Sequence, residues 1–248
     1  MEAIFKLYEG LPRQGPGSKE ITSRALDAIK NDLPKFPRII DIGCGTGAQT
    51  LDLAENIEGE ITAVDIYQPF LDDLLKKAQN RELKSSITIL NKNMSDLAFP
   101  ESSFDLIWSE GAIYLIGMEN GLRLWKNFLV PDGFIAFSEI SWFREDPPDK
   151  LAQFWTLNYP ELKTVEQNIM NIQTAGYQVI DHFPLPLNAW WENYYNPLME
   201  KIKYVQNQPE KDKDLQTIID ETIEEIKLFR SYSDWYGYEF YIIQNPQK

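Results

Sequence analysis

In RIIDIGCGTGAQTLDLA, residues 38–54, an apolar run breaks into three glycines and then resumes with helical spacing. Gly43, Gly45 and Gly47 permit positive φ and leave space where a side chain would stand. A strand that ends in such a turn and opens a helix points backbone amides and the helix N-terminus at a polar ligand. The chemistry this suits is holding a nucleotide-like cofactor. Taken as Gly43, Gly45 and Ala48, the turn also satisfies the looser dinucleotide fingerprint G-x-G-x-x-G/A. A tight turn with no ligand is the bland alternative.

Flanking residues separate the candidate cofactors. Asp41 sits inside the strand end, two residues before the first glycine. A pyrophosphate would be repelled by that carboxylate, whereas the ammonium of a methionine tail would be attracted, which favours S-adenosylmethionine over NAD. Asp65 ends the next apolar run, placed to accept hydrogen bonds from both ribose hydroxyls. Acids occur there in both kinds of site, so Asp65 indicates adenosine without choosing between them. NMSDLAF (93–99) follows the third run, where a polar residue would meet adenine.

Elements that position these residues alternate along the chain. Strands are expected at 38–43, 60–66, 87–91, 104–109 and 133–140, with helices over 18–30, 47–57, 68–80 and 119–129. Nearly continuous apolar strands between helices argue for a parallel sheet covered on both faces. Beyond Ile140 the pattern adds two helices, a sixth strand at 177–183 and a seventh at 238–244. The expected fold is α/β, a three-layer Rossmann-like sheet of seven mostly parallel strands. Residues 185–236, aromatic and then amphipathic, read as a helical insertion over the active site. Residues 1–184 plus 237–248 form the core.

Composition narrows the function further. The 248 residues carry a formal net charge of −14 and one cysteine, Cys44. Such acidity repels phosphate backbones and anionic lipid surfaces, so nucleic acid and membrane are poor partners. One cysteine and one histidine do not suggest a metal site. With no apolar run of membrane-spanning length and no secretory signal, a cytoplasmic location is expected.

Together, DIGCGTG, Asp65, NMSDLAFPESSFDLIWS and LVPDGFIAF resemble the ordered motifs of class I S-adenosylmethionine-dependent methyltransferases. The closest group is the methyltransferase type 11-like small-molecule enzymes, which includes quinone C-methyltransferases. This resemblance implies that the last strand is antiparallel. It also implies that Asp41, Gly43 and Gly45 contact the methionine portion, with Gly47 shaping the loop. It likewise places Asp65 on the ribose, Ile66 beside adenine, and Asn93 and Met94 at the adenine edge. Asn93 departs from the family's usual acid, and Asp132 in PDGF departs from its PGG. Ser109 and Glu110 would line the pocket floor. Arg13, in RQGPGS with Gln14, would meet the cofactor carboxylate; a surface arginine is the alternative.

Methyl transfer is an in-line displacement that rewards proximity and exclusion of water. Glu110 is the first candidate base, the alternative being a capping acid on a solvated rim. Tyr114 is the candidate for orienting the acceptor, or else a packed aromatic. Trp142, Trp190, Trp191 and Tyr194, with Tyr195, suggest a cage for a cationic or planar acceptor, or core packing of the insertion. His182 is read as structural. The expected protein is a metal-independent methyltransferase of a small molecule, monomeric or homodimeric. A non-catalytic S-adenosylmethionine-binding protein and an NAD(P)-dependent oxidoreductase are the alternatives. Against the oxidoreductase, only Tyr159 has a lysine four residues on, Lys163, and it lies far from where that motif would sit.

Overall fold

A computed structural model describes residues 2–209 and 212–247. Its strands are β1 (Arg38–Ile42), β2 (Glu60–Asp65), β3 (Ser86–Asn91), β4 (Phe104–Ser109), β5 (Leu129–Trp142), β6 (Lys163–Thr164), β7 (Gln178–Pro184) and β8 (Tyr236–Gln244). One sheet runs β3-β2-β1-β4-β5-β8-β7, and the two-residue β6 pairs alongside the end of β5. Strand β8 is antiparallel to both β5 and β7, while β1 to β5 pair in parallel. Because the order reverses between β1 and β4, their carboxyl ends flank the crevice where such sheets take ligands.

Helices α1 (Glu2–Tyr8), α2 (Lys19–Asp27), α3 (Ala48–Asn56), α4 (Gln68–Ala78) and α5 (Met118–Trp125) lead through the first five strands. After β5 come α6 (Asp149–Asn158), α7 (Val165–Thr174), α8 (Leu187–Trp190), α9 (Asn196–Gln206) and α10 (Lys213–Tyr232). A π-helical turn, Trp191–Tyr195, joins α8 to α9. Local chemistry sets several of these ends. Ser18 Oγ accepts from the Ile21 amide at 3.3 Å and caps α2. Thr164 and Gln167 form a reciprocal capping box on α7.

Two expectations change. Strand β5 begins at Leu129 rather than 133, because Phe104 pairs with Leu129 before the register shifts. Helix α1 was not expected from its seven uncapped residues; packing of Leu7 into the main core holds it. That core lies on one sheet face, joining α1 and α2 to Trp108 and Phe240 and to Tyr195, Ile226 and Phe229 of the 185–236 segment. The apolar side of α10 is therefore covered by its own chain. A second core, with Leu122, Trp125 and Ile172, fills the opposite face.

Candidate active site

At the carboxyl ends of β1, β2 and β4 a cavity of about 560 Å³ opens. Its wall includes Gly43, Gly45, Asp65, Ile66, Asn93 and Met94 from the sheet side. Opposite stand Phe5, Tyr8, Arg13 and Gln14 from the N-terminal segment, with Glu110 and Tyr114 following β4. The strands end at this level: Asp65 is the last residue of β2, and short loops carry the other sheet-side residues.

The glycine turn is shaped from both sides. Gly43 adopts φ +78°, and a Cβ there would stand 2.4 Å from the Ala112 Cβ. Gly47, at φ +80°, starts α3; a Cβ would stand 2.2 Å from Leu74 Cδ1, so its role is packing the turn rather than lining the cavity. Gln14 Oε1 accepts from the Thr46 amide at 2.8 Å, which ties the N-terminal loop to the turn.

Asp65 is the acid of the site. Its Oδ2 accepts from the Gly45 amide at 2.9 Å and its Oδ1 from the Tyr67 amide at 2.9 Å. Burial pushes its carboxyl above the usual range, opposed by those amide donors and that of Ile66. Each oxygen retains a lone pair for a ligand hydroxyl. Ile66, 46% exposed, presents an apolar surface beside it.

Several expected residues lie elsewhere. Asp41 is fully buried and outside the wall; it accepts from Thr50 Oγ1 at 2.5 Å and Gln49 Nε2 at 3.3 Å. Gln49, not Asp41, reaches the cavity. Ser109 is fully buried too, and its hydroxyl donates to the Ile42 carbonyl at 2.9 Å, joining β4 to β1. Asn93 lines the cavity, but its Oδ1 already accepts from the Ser95 amide and hydroxyl, at 2.9 and 2.8 Å.

Arg13 and Glu110 are not free for the roles expected of them. Their side chains form a buried ion pair. Glu110 Oε1 also accepts from Thr22 Oγ1 at 2.8 Å and Trp108 Nε1 at 2.9 Å. Three donors on its two oxygens make Glu110 an anchor for the N-terminal segment.

The aromatic cage is corrected as well. Trp190 stacks on Phe229 with centroids 4.1 Å apart, Trp191 lies under Arg230, and Trp142 packs edge-on against Tyr236. None of the three lines the cavity. Tyr194 is buried one step behind it, its hydroxyl 3.0 Å from that of Tyr8. Phe5 and Tyr8 occupy the wall instead, and Phe5 stacks on Tyr67 at 4.6 Å. Sequence reading passed over them because α1 shows no capping or periodic signal.

Residues 39–133, from β1 into β5, match the model of a family described as methyltransferase domain. Its fold is shared with solved methyltransferases: a Geobacter sulfurreducens S-adenosylmethionine-dependent methyltransferase in complex with S-adenosyl-L-homocysteine superposes with TM-score 0.84. That likeness covers 100% of this chain and 98% of the other at 17% identity. The [4+2]-cyclase SpnF superposes with TM-score 0.76 at 16% identity, over 100% of this chain and 92% of that one.

Among relatives by sequence, a Triticum aestivum phosphoethanolamine N-methyltransferase is 25% identical over 174 residues, 68% of this chain and 34% of its own length. Aklanonic acid methyltransferase DauC from a Streptomyces species is 32% identical over 104 residues, 41% of this chain and 47% of its own. The chain spans about a third of the length of the first curated relatives it matches.

Proposed function

We propose that the chain is an enzyme that transfers a methyl group from S-adenosylmethionine to a small-molecule acceptor. The observation that carries this reading is the doubly anchored Asp65 carboxylate beside the Gly43–Gly45 turn, opening on one cavity that continues to Tyr8 and Tyr114. The donor set fits the cofactor. Asp65 would hold the ribose hydroxyls, Ile66 and Met94 would flank adenine, and the methionine portion would lie along Gly43 and Gly45, near Gln49. When bound, S-adenosylmethionine supplies an electrophilic methyl group on a sulfonium.

The chain's own residues do the rest by positioning and shielding. Phe5 and Tyr8 close one wall against water, and the Arg13–Glu110 pair fastens that wall to β4. Segment 185–236 backs it: Asn193 Nδ2 donates to the Gly17 carbonyl at 3.0 Å, and Lys201 Nζ to the Glu9 carbonyl at 2.9 Å. We assign this segment as a support for the N-terminal cover. Tyr114, in the cavity wall, is the residue we assign to orienting an acceptor.

A net charge of −14 disfavours nucleic acid as the acceptor. No described helix is long and apolar enough to cross a membrane, and a cytoplasmic enzyme is the reading we adopt. Release of S-adenosylhomocysteine from methyl-labelled donor, dependent on an added small molecule, tests the function. Tight donor binding without turnover on any acceptor would support a non-catalytic role instead.

A further inference from the structure

Two glutamines of the cavity wall, Gln14 and Gln49, are each held in one orientation by backbone groups of the glycine turn. Gln14 Oε1 accepts from the Thr46 amide at 2.8 Å. A backbone N–H only donates, so the atom facing it is the oxygen. Gln14 Nε2 is thereby the free end. It gives one hydrogen to the Leu11 carbonyl at 3.3 Å, and its second N–H has no acceptor among the described residues. The amide lies over Gly45, where a Cβ would stand 2.5 Å from Gln14 Oε1.

Gln49 is turned the other way. Its Nε2 donates to the Cys44 carbonyl and to Asp41 Oδ1, each at 3.3 Å. A carbonyl only accepts, so the atom facing Cys44 is the nitrogen, and both of its hydrogens are committed. Gln49 Oε1 is left with no donor among the described residues, on a side chain that is 5% exposed and belongs to the cavity wall. A buried amide oxygen without a donor is a deficit that a ligand can relieve. Asp41, which does not reach the cavity itself, helps set which end of Gln49 does.

We propose that these two amides clamp the zwitterionic end of S-adenosylmethionine, Gln14 Nε2 donating to its carboxylate and Gln49 Oε1 accepting from its ammonium. The inference deepens the methyltransferase reading and rests on it. Neither charge of that end has a free ionic partner at the turn. Arg13 and Glu110 are paired with each other, and Asp41 lies outside the wall. Asp65 ends β2, and Lys92 follows β3, two strands away from the turn after β1. A neutral donor and a neutral acceptor suit a group that carries both charges and no net charge. Each charge gains a hydrogen bond, and no buried ion is stranded when the ligand leaves.

Ligands that share the adenosine thioether and differ at the amino-acid end test this. S-adenosylhomocysteine, its decarboxylated and deaminated analogues, and methylthioadenosine, which lacks the whole amino-acid end, are titrated calorimetrically into wild-type protein and two variants. Gln14→Glu keeps an oxygen for the Thr46 amide and replaces the free donor by a negative charge. It should weaken S-adenosylhomocysteine and the deaminated analogue at least about tenfold, while the decarboxylated analogue and methylthioadenosine hold. Gln49→Met keeps the length of the side chain and removes the amide. It should weaken S-adenosylhomocysteine and the decarboxylated analogue at least about tenfold, while the deaminated analogue and methylthioadenosine hold.

Equal weakening of all four ligands, no weakening, or the reverse pairing of variant and analogue overturns the clamp and leaves the methyltransferase reading standing. If S-adenosylhomocysteine does not bind the wild-type protein, the underlying reading falls as well. Retained affinity for methylthioadenosine shows that a variant is folded. If Gln49→Met fails that check, Gln49→Ala replaces it with the same expected pattern. If neither folds, the wild-type protein decides that half: a deaminated analogue that binds as tightly as S-adenosylhomocysteine overturns it, and one at least about tenfold weaker supports it.

Discussion

Arg13, in the loop before α2, pairs with Glu110 at the end of β4, across a sequence separation of 97 residues. The two side chains are only 9% and 3% exposed. That pair makes the N-terminal segment part of the site, since nothing else from residues 11–18 reaches β4 with a charge. Removing one partner strands the other, and breaking a buried pair costs about 3 kcal/mol or more. Arg13→Ala should therefore lower the melting temperature by roughly 6–12 °C. A change within about 2 °C would mean the pair contributes little.

Glu110→Gln separates anchor from base. With three donors already on its carboxylate, the substitution should lower stability yet leave the pH profile of kcat in place. Loss of one limb of that profile would restore Glu110 as the base.

Gly43 has no room for a side chain. At φ +78°, with a Cβ 2.4 Å from that of Ala112, alanine forces the turn and the 111–112 backbone apart. Gly43→Ala should cost about 1–3 kcal/mol of stability and weaken S-adenosylhomocysteine binding measured by calorimetry.

Asp41 predicts a pH dependence of stability. Burial, opposed by the hydrogen bonds of Thr50 and Gln49, pushes its carboxyl up to about 7. Between the unfolded value of 3.8 and about 7 the folded state holds a proton that the unfolded state has released. Stability contributed by this group is thus present at low pH and falls as pH rises through that window. Asp52, raised by burial to about 6, acts in the same direction. Asp41→Asn should flatten the decline in denaturant midpoint from pH 4.5 to 7 relative to wild type. An unchanged slope would show that Asp41 ionises normally.

Much of the frame was legible because local and global signals agree. The strand–glycine–helix unit at 38–56 and the acid ending β2 follow from apolar runs and turn residues, while the antiparallel direction of β8 follows from the family resemblance. What eluded sequence reading depends on contacts distant in the chain. Asp41 stands before the glycines as a cofactor-binding acid would, but Thr50 and Gln49 of α3 turn it into the core. Being aromatic and following strand ends, the tryptophans suggest a place at the site by sequence alone. They instead supply the packing of the 185–236 segment, and the wall fell to Phe5 and Tyr8 on a helix that only tertiary burial stabilises.

Calorimetric titration of S-adenosylhomocysteine and NAD into wild-type protein and Asp65→Asn tests the central claim most directly. Binding of S-adenosylhomocysteine alone is predicted, with the variant weakened about tenfold to a hundredfold, as befits loss of hydrogen bonds to a charged acceptor. Binding of NAD in its place, or an affinity for S-adenosylhomocysteine indifferent to Asp65, would contradict the account.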